Sequence, residues 1–207
     1  MESILDLYSS PPSATVARFC FDERPCQLTD DVYSPIPMKS GQVKLVDNEY
    51  IRKGTCCLLL AYDIDTGQRY TIVSETRTKA DYARFMDWIE REHYSDKEKI
   101  IVIQDNLNTH TKGSFYENLP VQRAGDLNRK MNFQFTPKHA SWLNMAEIEF
   151  SSVSRQCLRR KIATIEEMEK EVMAWQSKRN EASIKISWSF TTDVARGKMS
   201  NKYPALI

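Results

Sequence analysis

Four branched aliphatic residues in a row, Ile100-Ile101-Val102-Ile103, constrain the fold of this chain more than any other stretch. Side chains alternate across a strand, so an unbroken apolar run suits a strand only when both faces of its sheet are covered. The expected frame is therefore α/β, a sheet with helices packed on it. Gln104, Asp105 and Asn106 follow at once. In sheets of this kind functional side chains gather where strands end, which makes Asp105 the first candidate for chemistry.

At 207 residues and 41% apolar content the chain can bury a real core as one domain. No apolar run is long enough to cross a bilayer, and Met1 to Val16 lacks the basic start and apolar centre of a secretion signal. A cytoplasmic protein with no membrane partner is expected. Five cysteines, Cys20, Cys26, Cys56, Cys57 and Cys157, include no Cys-x-x-Cys pair. Neither a disulfide framework nor a zinc ribbon is suggested, so reduced, packed thiols are expected. The net charge of +1 hides an asymmetry: residues 1–150 hold 18 Lys and Arg against 22 Asp and Glu, a net −4, and residues 151–207 hold 11 against 6, a net +5. Either an anionic partner on the C-terminal side or ordinary solvated helix faces accounts for it.

Ser9-Ser10-Pro11-Pro12-Ser13 marks residues 1–15 as a linker, or the remnant of a preceding DNA-binding region, with one domain over 16–207. Val16 to Phe21 reads as a first strand, with Asp22 just past its end. A long irregular excursion through Pro35, Pro37, Lys39, Gly41, Lys44, Arg52 and Lys53 follows. Cys56–Tyr62 and Arg69–Val73 flank a Gly-containing turn and form a hairpin. Thr78 and Asp81 suit the start of a helix running to about Glu92. The Ile100 run is the fourth strand, brought parallel to its neighbour by that crossover. Short helices over 114–118 and 121–130 precede a fifth strand at 133–135. Then comes a helix whose apolar stripe is Leu143, Ala146, Phe150, Val153 and Cys157. Glu147 and Glu149 fall on opposite flanks of that stripe, so only one of them faces the strand ends. Thr164 and Glu167 form a capping pattern before a last long helix.

Acids at two strand ends and one on a later helix suit hard divalent cations, which prefer carboxylate oxygens. Two such ions can stabilise the attacking and leaving oxygens of a phosphodiester displacement. Taken singly, however, acids after strands are also ordinary turn residues.

Cys20-Phe21-Asp22-Glu23, Gln104-Asp105-Asn106-Leu107-Asn108-Thr109-His110, the run from Thr136 to Phe150 and Ser154-Arg155-Gln156-Cys157-Leu158 resemble bacterial insertion-sequence transposases of the mariner-related DDE superfamily. Pro37-Met38-Lys39, Arg77-Thr78 and Trp188-Ser189-Phe190-Thr191-Thr192 extend the likeness over nearly the whole chain. The resemblance implies an RNase H-like fold, a mixed five-stranded sheet flanked by helices. It implies Asp22, Asp105 and Glu147 as catalytic and metal-binding residues, with two Mg²⁺ ions for which Mn²⁺ substitutes. Leu143-Asn144-Met145-Ala146-Glu147 matches the Leu-Asn-Pro-x-Glu motif of mariner relatives, with Met145 where they have proline, and so selects Glu147 over Glu149. Such enzymes cut transposon ends by water attack and join the 3′-hydroxyl to target DNA without a covalent enzyme intermediate.

Around this triad, Lys138, His139, Trp142, Asn144 and Arg155 are candidates for DNA contact, and Arg159, Arg160 and Lys161 for phosphate. Packing against the sheet is the commoner use of a tryptophan such as Trp142. Asn108, His110 and Glu149 are candidates for orienting the acids, Glu149 being either that or a helix-surface residue. Implied partners are DNA, both transposon ends and target, and further copies of the chain on it. Family members read their repeats with N-terminal helix-turn-helix modules, for which 1–15 is too short. A frameshift-fused region or a separate helix-turn-helix subunit is expected to supply that reading. The alternatives are a non-catalytic remnant that binds DNA or full-length transposase and interferes with transposition, and a nuclease acting on RNA–DNA hybrids.

Overall fold

The computed structural model of the protein describes residues 1–200. Five strands form one sheet in the order β3-β2-β1-β4-β5. These are β1 (Val16–Asp31), β2 (Tyr50–Asp63), β3 (Arg69–Ser74), β4 (Lys99–Gln104) and β5 (Met131–Phe135). The β1/β2 and β2/β3 pairs are antiparallel, whereas β4 lies parallel to both β1 and β5.

Alternation along the strands divides the interior into two layers. Phe19, Phe21, Leu59, Ala61, Ile100 and Val102 face α2 (Lys79–His93), α3 (Lys112–Asn118) and α4 (Val121–Lys130), which contribute Tyr82, Phe85, Phe115 and Leu127. Cys20, Leu58, Leu60, Tyr62 and Ile103 face the opposite layer of α5 (Met145–Gln156) and α6 (Ile165–Glu181), which contribute Ala146, Phe150, Val153, Val172 and Trp175. The apolar run of β4 is thus covered on both sides, as its composition demands. Thr78 starts α2 through a complete capping box with Asp81. Among the described residues, no helix is long and apolar enough to cross a membrane.

Three expectations about the fold are corrected. The irregular excursion ends before Arg52 and Lys53, which already belong to β2, where Arg52 pairs with Thr29 of β1. In the stretch read as a linker, Glu2–Ser9 fold into α1, which buries Ile4 and Leu5 in the α5/α6 layer beside α7 (Thr192–Lys198); only the segment after it is irregular. β1 does not stop before Asp22 but runs on to Asp31. Its pairing with β4 ends at Cys20, and beyond that point only β2 accompanies it. Pro25 sits in this two-stranded ribbon, where one edge of the strand has no ladder partner to receive an N–H.

Candidate active site

Register explains how two acids distant in sequence meet. Val16 pairs with Lys99 and Cys20 with Ile103, and the same offset carried two residues further sets Asp22 beside Asp105. Cys20 and Ile103 both belong to the layer that contains α5. Residues two apart share a face, so Asp22, still within β1, points toward the start of that helix, while Asp105 stands just past the end of β4.

Asn144 fastens the helix start to the strand. Its Nδ2 donates to the Phe21 carbonyl at 2.8 Å and to Asp22 Oδ2 at 3.2 Å, while its Oδ1 accepts the Ala146 N–H at 3.1 Å and caps α5. Three residues on, Glu147 lies exposed in the first turn, where the helix dipole favours a carboxylate. Asp22 is buried, with Oδ1 accepting the Glu23 N–H at 2.8 Å. Burial pushes its carboxyl up to about 7; the Glu23 N–H opposes the rise, and the charges of Glu147 and Asp105 add to it. The three acids therefore share one electrostatic site.

A second network braces Asp105. The buried His110 presents Nδ1 to Asp105 Oδ1 at 2.7 Å and Nε2 to Glu23 Oε2 at 3.5 Å. Its ring stacks on Tyr82 at 4.9 Å and meets Phe21 edge-on. Burial works against a charged imidazole, but Asp105 and Glu23 outweigh it and push His110 up to about 9, so it is a cation near neutrality. His110 in return holds Asp105 below the usual carboxylate range. Arg77 pairs with Glu23 from the opposite side, and His110 and Arg77 together keep Glu23 ionised in spite of its burial. Glu23 and Arg77 lie in motifs that carry the family resemblance, Cys20-Phe21-Asp22-Glu23 and Arg77-Thr78, but only the fold brings them to His110 and so gives them a role.

The remaining candidates divide. Lys138 and His139 line, with Asp105, Asn106 and Thr136, an open cavity of about 510 Å³ beside the acids. His139 adopts a left-handed backbone with φ 62°, an uncommon conformation for a side chain with a Cβ. Trp142, expected to pack against the sheet, is instead 43% exposed and meets Phe190 edge-on at 5.3 Å. Asn144 is fully buried with its amide engaged, which corrects its reading as a DNA contact; it positions Asp22. Arg155 is exposed in the last turn of α5, about 12 Å along the axis from Glu147. Asn108 is exposed in the turn after β4 and, among the described residues, hydrogen-bonds none of the acids. Glu149 is neither an orienting group nor a surface residue. It is fully buried on the other flank of α5, where Arg69 Nε and Nη2 each donate to it at 2.8 Å and Arg179 at 3.1 Å. Of the phosphate candidates, Arg160 pairs with Glu171, and Lys161 with Asp31.

This donor set suits a hard divalent cation. Its oxygens are carboxylate oxygens in mutual repulsion, and no Lys or Arg among the described residues forms an ion pair with any of the three acids. Among those residues no three His, Cys, Asp or Glu groups converge at ligating distance, so the acids form an open set rather than a closed cage.

A model of the DDE superfamily endonucleases matches residues 17–169, which include all three acids and most of the chain. The chain belongs to the DDE superfamily endonucleases. The structure of this DDE endonuclease resembles that of the catalytic domain of Mos1 mariner transposase, with a TM-score of 0.59 at 14% identity, covering 88% of this chain and 80% of that one. It also resembles the Mos1 chain of the paired-end complex with Mn, TM-score 0.60 at 15% identity, and that of the strand transfer complex, TM-score 0.58 at 16% identity. In both cases 88% of this chain is covered, and it spans about half of the other, 54% and 53%. At such identities the likeness is one of fold, and the fold is RNase H-like, a mixed five-stranded sheet flanked by helices. No curated protein matches the chain.

Proposed function

We propose that this DDE endonuclease is the catalytic domain of an insertion-sequence transposase, cutting DNA at transposon ends and joining the 3′-hydroxyl to target DNA. The observation that carries this reading is the gathering of Asp22, Asp105 and Glu147 at one end of the sheet, where Asn144 ties Asp22 to the start of α5 and the charges of Glu147 and Asp105 add to the rise that burial imposes on the Asp22 carboxyl. Among the described residues Asp22 and Glu147 have no ion-pair partner, and the cation His110 offsets only Asp105, so the remaining negative charge favours cation binding. The neighbours' named assemblies, a paired-end complex with Mn and a strand transfer complex, belong to Mos1 and support the same chemistry here.

In this reading Asp22, Asp105 and Glu147 hold two Mg²⁺ or Mn²⁺ ions. Bound there, such ions would acidify the attacking water or 3′-hydroxyl and neutralise charge on the leaving oxygen. The chain's own residues do the rest. Asn144 fixes the Asp22 carboxylate against the α5 cap, and His110 fixes Asp105. Lys138 and His139 line the adjoining cavity, where they receive backbone phosphate. Trp142, with its exposed face, offers a surface for an unstacked base. The protein acts in the cytoplasm at the nucleoid, as an oligomer on DNA, with end recognition supplied by a helix-turn-helix region or subunit.

Cleavage of terminal-repeat and scrambled duplexes in Mg²⁺ and Mn²⁺ tests the reading. Metal-dependent cutting of duplex DNA is expected, and Asp105→Asn abolishes it. No cutting in either metal, or cutting that survives Asp105→Asn, overturns it. Preference for an RNA–DNA hybrid over duplex DNA points to the hybrid nuclease instead.

A further inference from the structure

Past Asp22 the ribbon of β1 and β2 carries an arrangement that DNA chemistry does not use. Cys26 and Cys56 are direct partners across the antiparallel ladder, whereas Cys57, opposite Pro25, belongs to the other layer of the core. Directly opposed residues have Cα atoms about 4.5 or 5.5 Å apart, inside the range of about 4.4–6.8 Å that a disulfide spans. Facing Cβ atoms in such a pair stand slightly wider than a disulfide prefers, and a bridge formed there is mildly strained and correspondingly easy to reduce. Adjacent in sequence, Cys56 and Cys57 point to opposite faces and are poorly placed to pair with each other.

The surroundings of Cys26 differ from those of an inert core thiol. It is 8% exposed and lines a cavity of about 160 Å³ together with Arg24, Arg160, Leu158, Ile162 and Met168. The Arg24 guanidinium beside this small cavity favours thiolate at Cys26, while Arg160 is engaged by Glu171, and the cavity admits a small polar oxidant. The hydrogen bond with Cys56 lowers the Cys26 thiol, burial opposes this, and the Arg24 charge lowers it further, while Cys56 is raised. Cys20, Cys57 and Cys157 are all raised by burial and remain protonated.

We propose that Cys26 and Cys56 are a peroxide-sensitive dithiol, with Cys26 as the attacking sulfur and Cys56 as the resolving one, and that their reversible disulfide is a modification site on the strand that carries Asp22. The Cys26 thiolate attacks one oxygen of a hydroperoxide and breaks the O–O bond; with hydrogen peroxide the departing hydroxide takes a proton and leaves as water. Cys26 is then a sulfenic acid. The Cys56 sulfur displaces the hydroxyl from it, forming the S–S bond and releasing a second water. In total two thiols lose two electrons and two protons, and one peroxide becomes two waters.

The test is to treat the reduced full chain with hydrogen peroxide, count titratable thiols and map the peptides without reduction. The count is expected to fall from five to three, with one bridge joining Cys26 to Cys56 that dithiothreitol reverses. Cys57→Ser keeps that bridge, and Cys56→Ser halts Cys26 as a sulfenic acid trapped by dimedone. Five thiols remaining, a bridge that involves Cys20, Cys57 or Cys157, or irreversible oxidation of Cys26 without a bridge overturns the proposal. The wild-type peptide map decides it even if a variant does not fold, and none of these readouts depends on DNA cleavage.

Discussion

At the residue scale the two acids of α5 have opposite duties. Glu147 is exposed beside Asp22, and its charge adds to the burden on that buried carboxyl. Glu149 neutralises Arg69, which is itself fully buried, and Arg179. Glu147→Gln is therefore expected to leave thermal stability unchanged or slightly raised while abolishing metal-dependent cleavage. Glu149→Ala strands a buried guanidinium and should cost roughly 3–5 kcal/mol in urea unfolding. Helical geometry was enough to put the two on opposite flanks, but not to say which flank faced the strand ends. That depended on Arg69 and Arg179, which lie 80 and 30 residues away and have no local signal. Asn144 was read as a DNA contact and not as the anchor of Asp22, for the same reason. Asn144→Ala is expected to cost about 1–2 kcal/mol through the lost cap, and about 10–100-fold in cleavage rate through the lost orientation of Asp22. Urea unfolding and single-turnover kinetics measure the two effects separately.

At the element scale, local chemistry was a good guide wherever it was self-contained. The α2 start was readable because Thr78 and Asp81 satisfy each other. Burial favours a neutral Asp81, yet hydrogen bonds from Thr76, Thr78 and Ser74 outweigh it and bring the carboxyl down to about 2. Its folded pKa is thus depressed below the unfolded value of about 3.9. The stability it contributes is complete above pH 4 and is lost as pH falls toward 2. Acid titrations of unfolding for wild type and Asp81→Asn should accordingly converge between about pH 4 and pH 2; a constant gap across that window contradicts the assignment. The end of β1 was misread because Asp22-Glu23-Arg24-Pro25 has the composition of a turn. What carries the strand through Pro25 is pairing with Leu58 and Cys57 of β2, a long-range partnership that local composition does not encode.

For the whole molecule, the order β3-β2-β1-β4-β5 brings the middle strands' acids to the start of α5, and the two-sided burial of β4 announced that frame in sequence. The contribution of α1 was not legible, since Ser9 to Ser13 outweighed the apolar Ile4 and Leu5 in so short a helix. Tyr8 of α1 donates to the Leu143 carbonyl at 2.6 Å, next to Asn144, so the N-terminus braces the approach to α5. Removing residues 1–9 exposes the surface that Ile4 and Leu5 cover and should cost about 3–6 kcal/mol, read as a lower urea midpoint. The central claim is that Asp22, Asp105 and Glu147 work as one unit on DNA. Its most direct test is cleavage of end-labelled duplex DNA in Mn²⁺ by wild type, by Asp22→Asn, Asp105→Asn and Glu147→Gln singly, and by the triple variant. The account predicts that each single change lowers the rate at least about 1,000-fold to the floor set by the triple variant, because groups acting as a unit are not additive. A single variant that cuts within tenfold of wild type contradicts it.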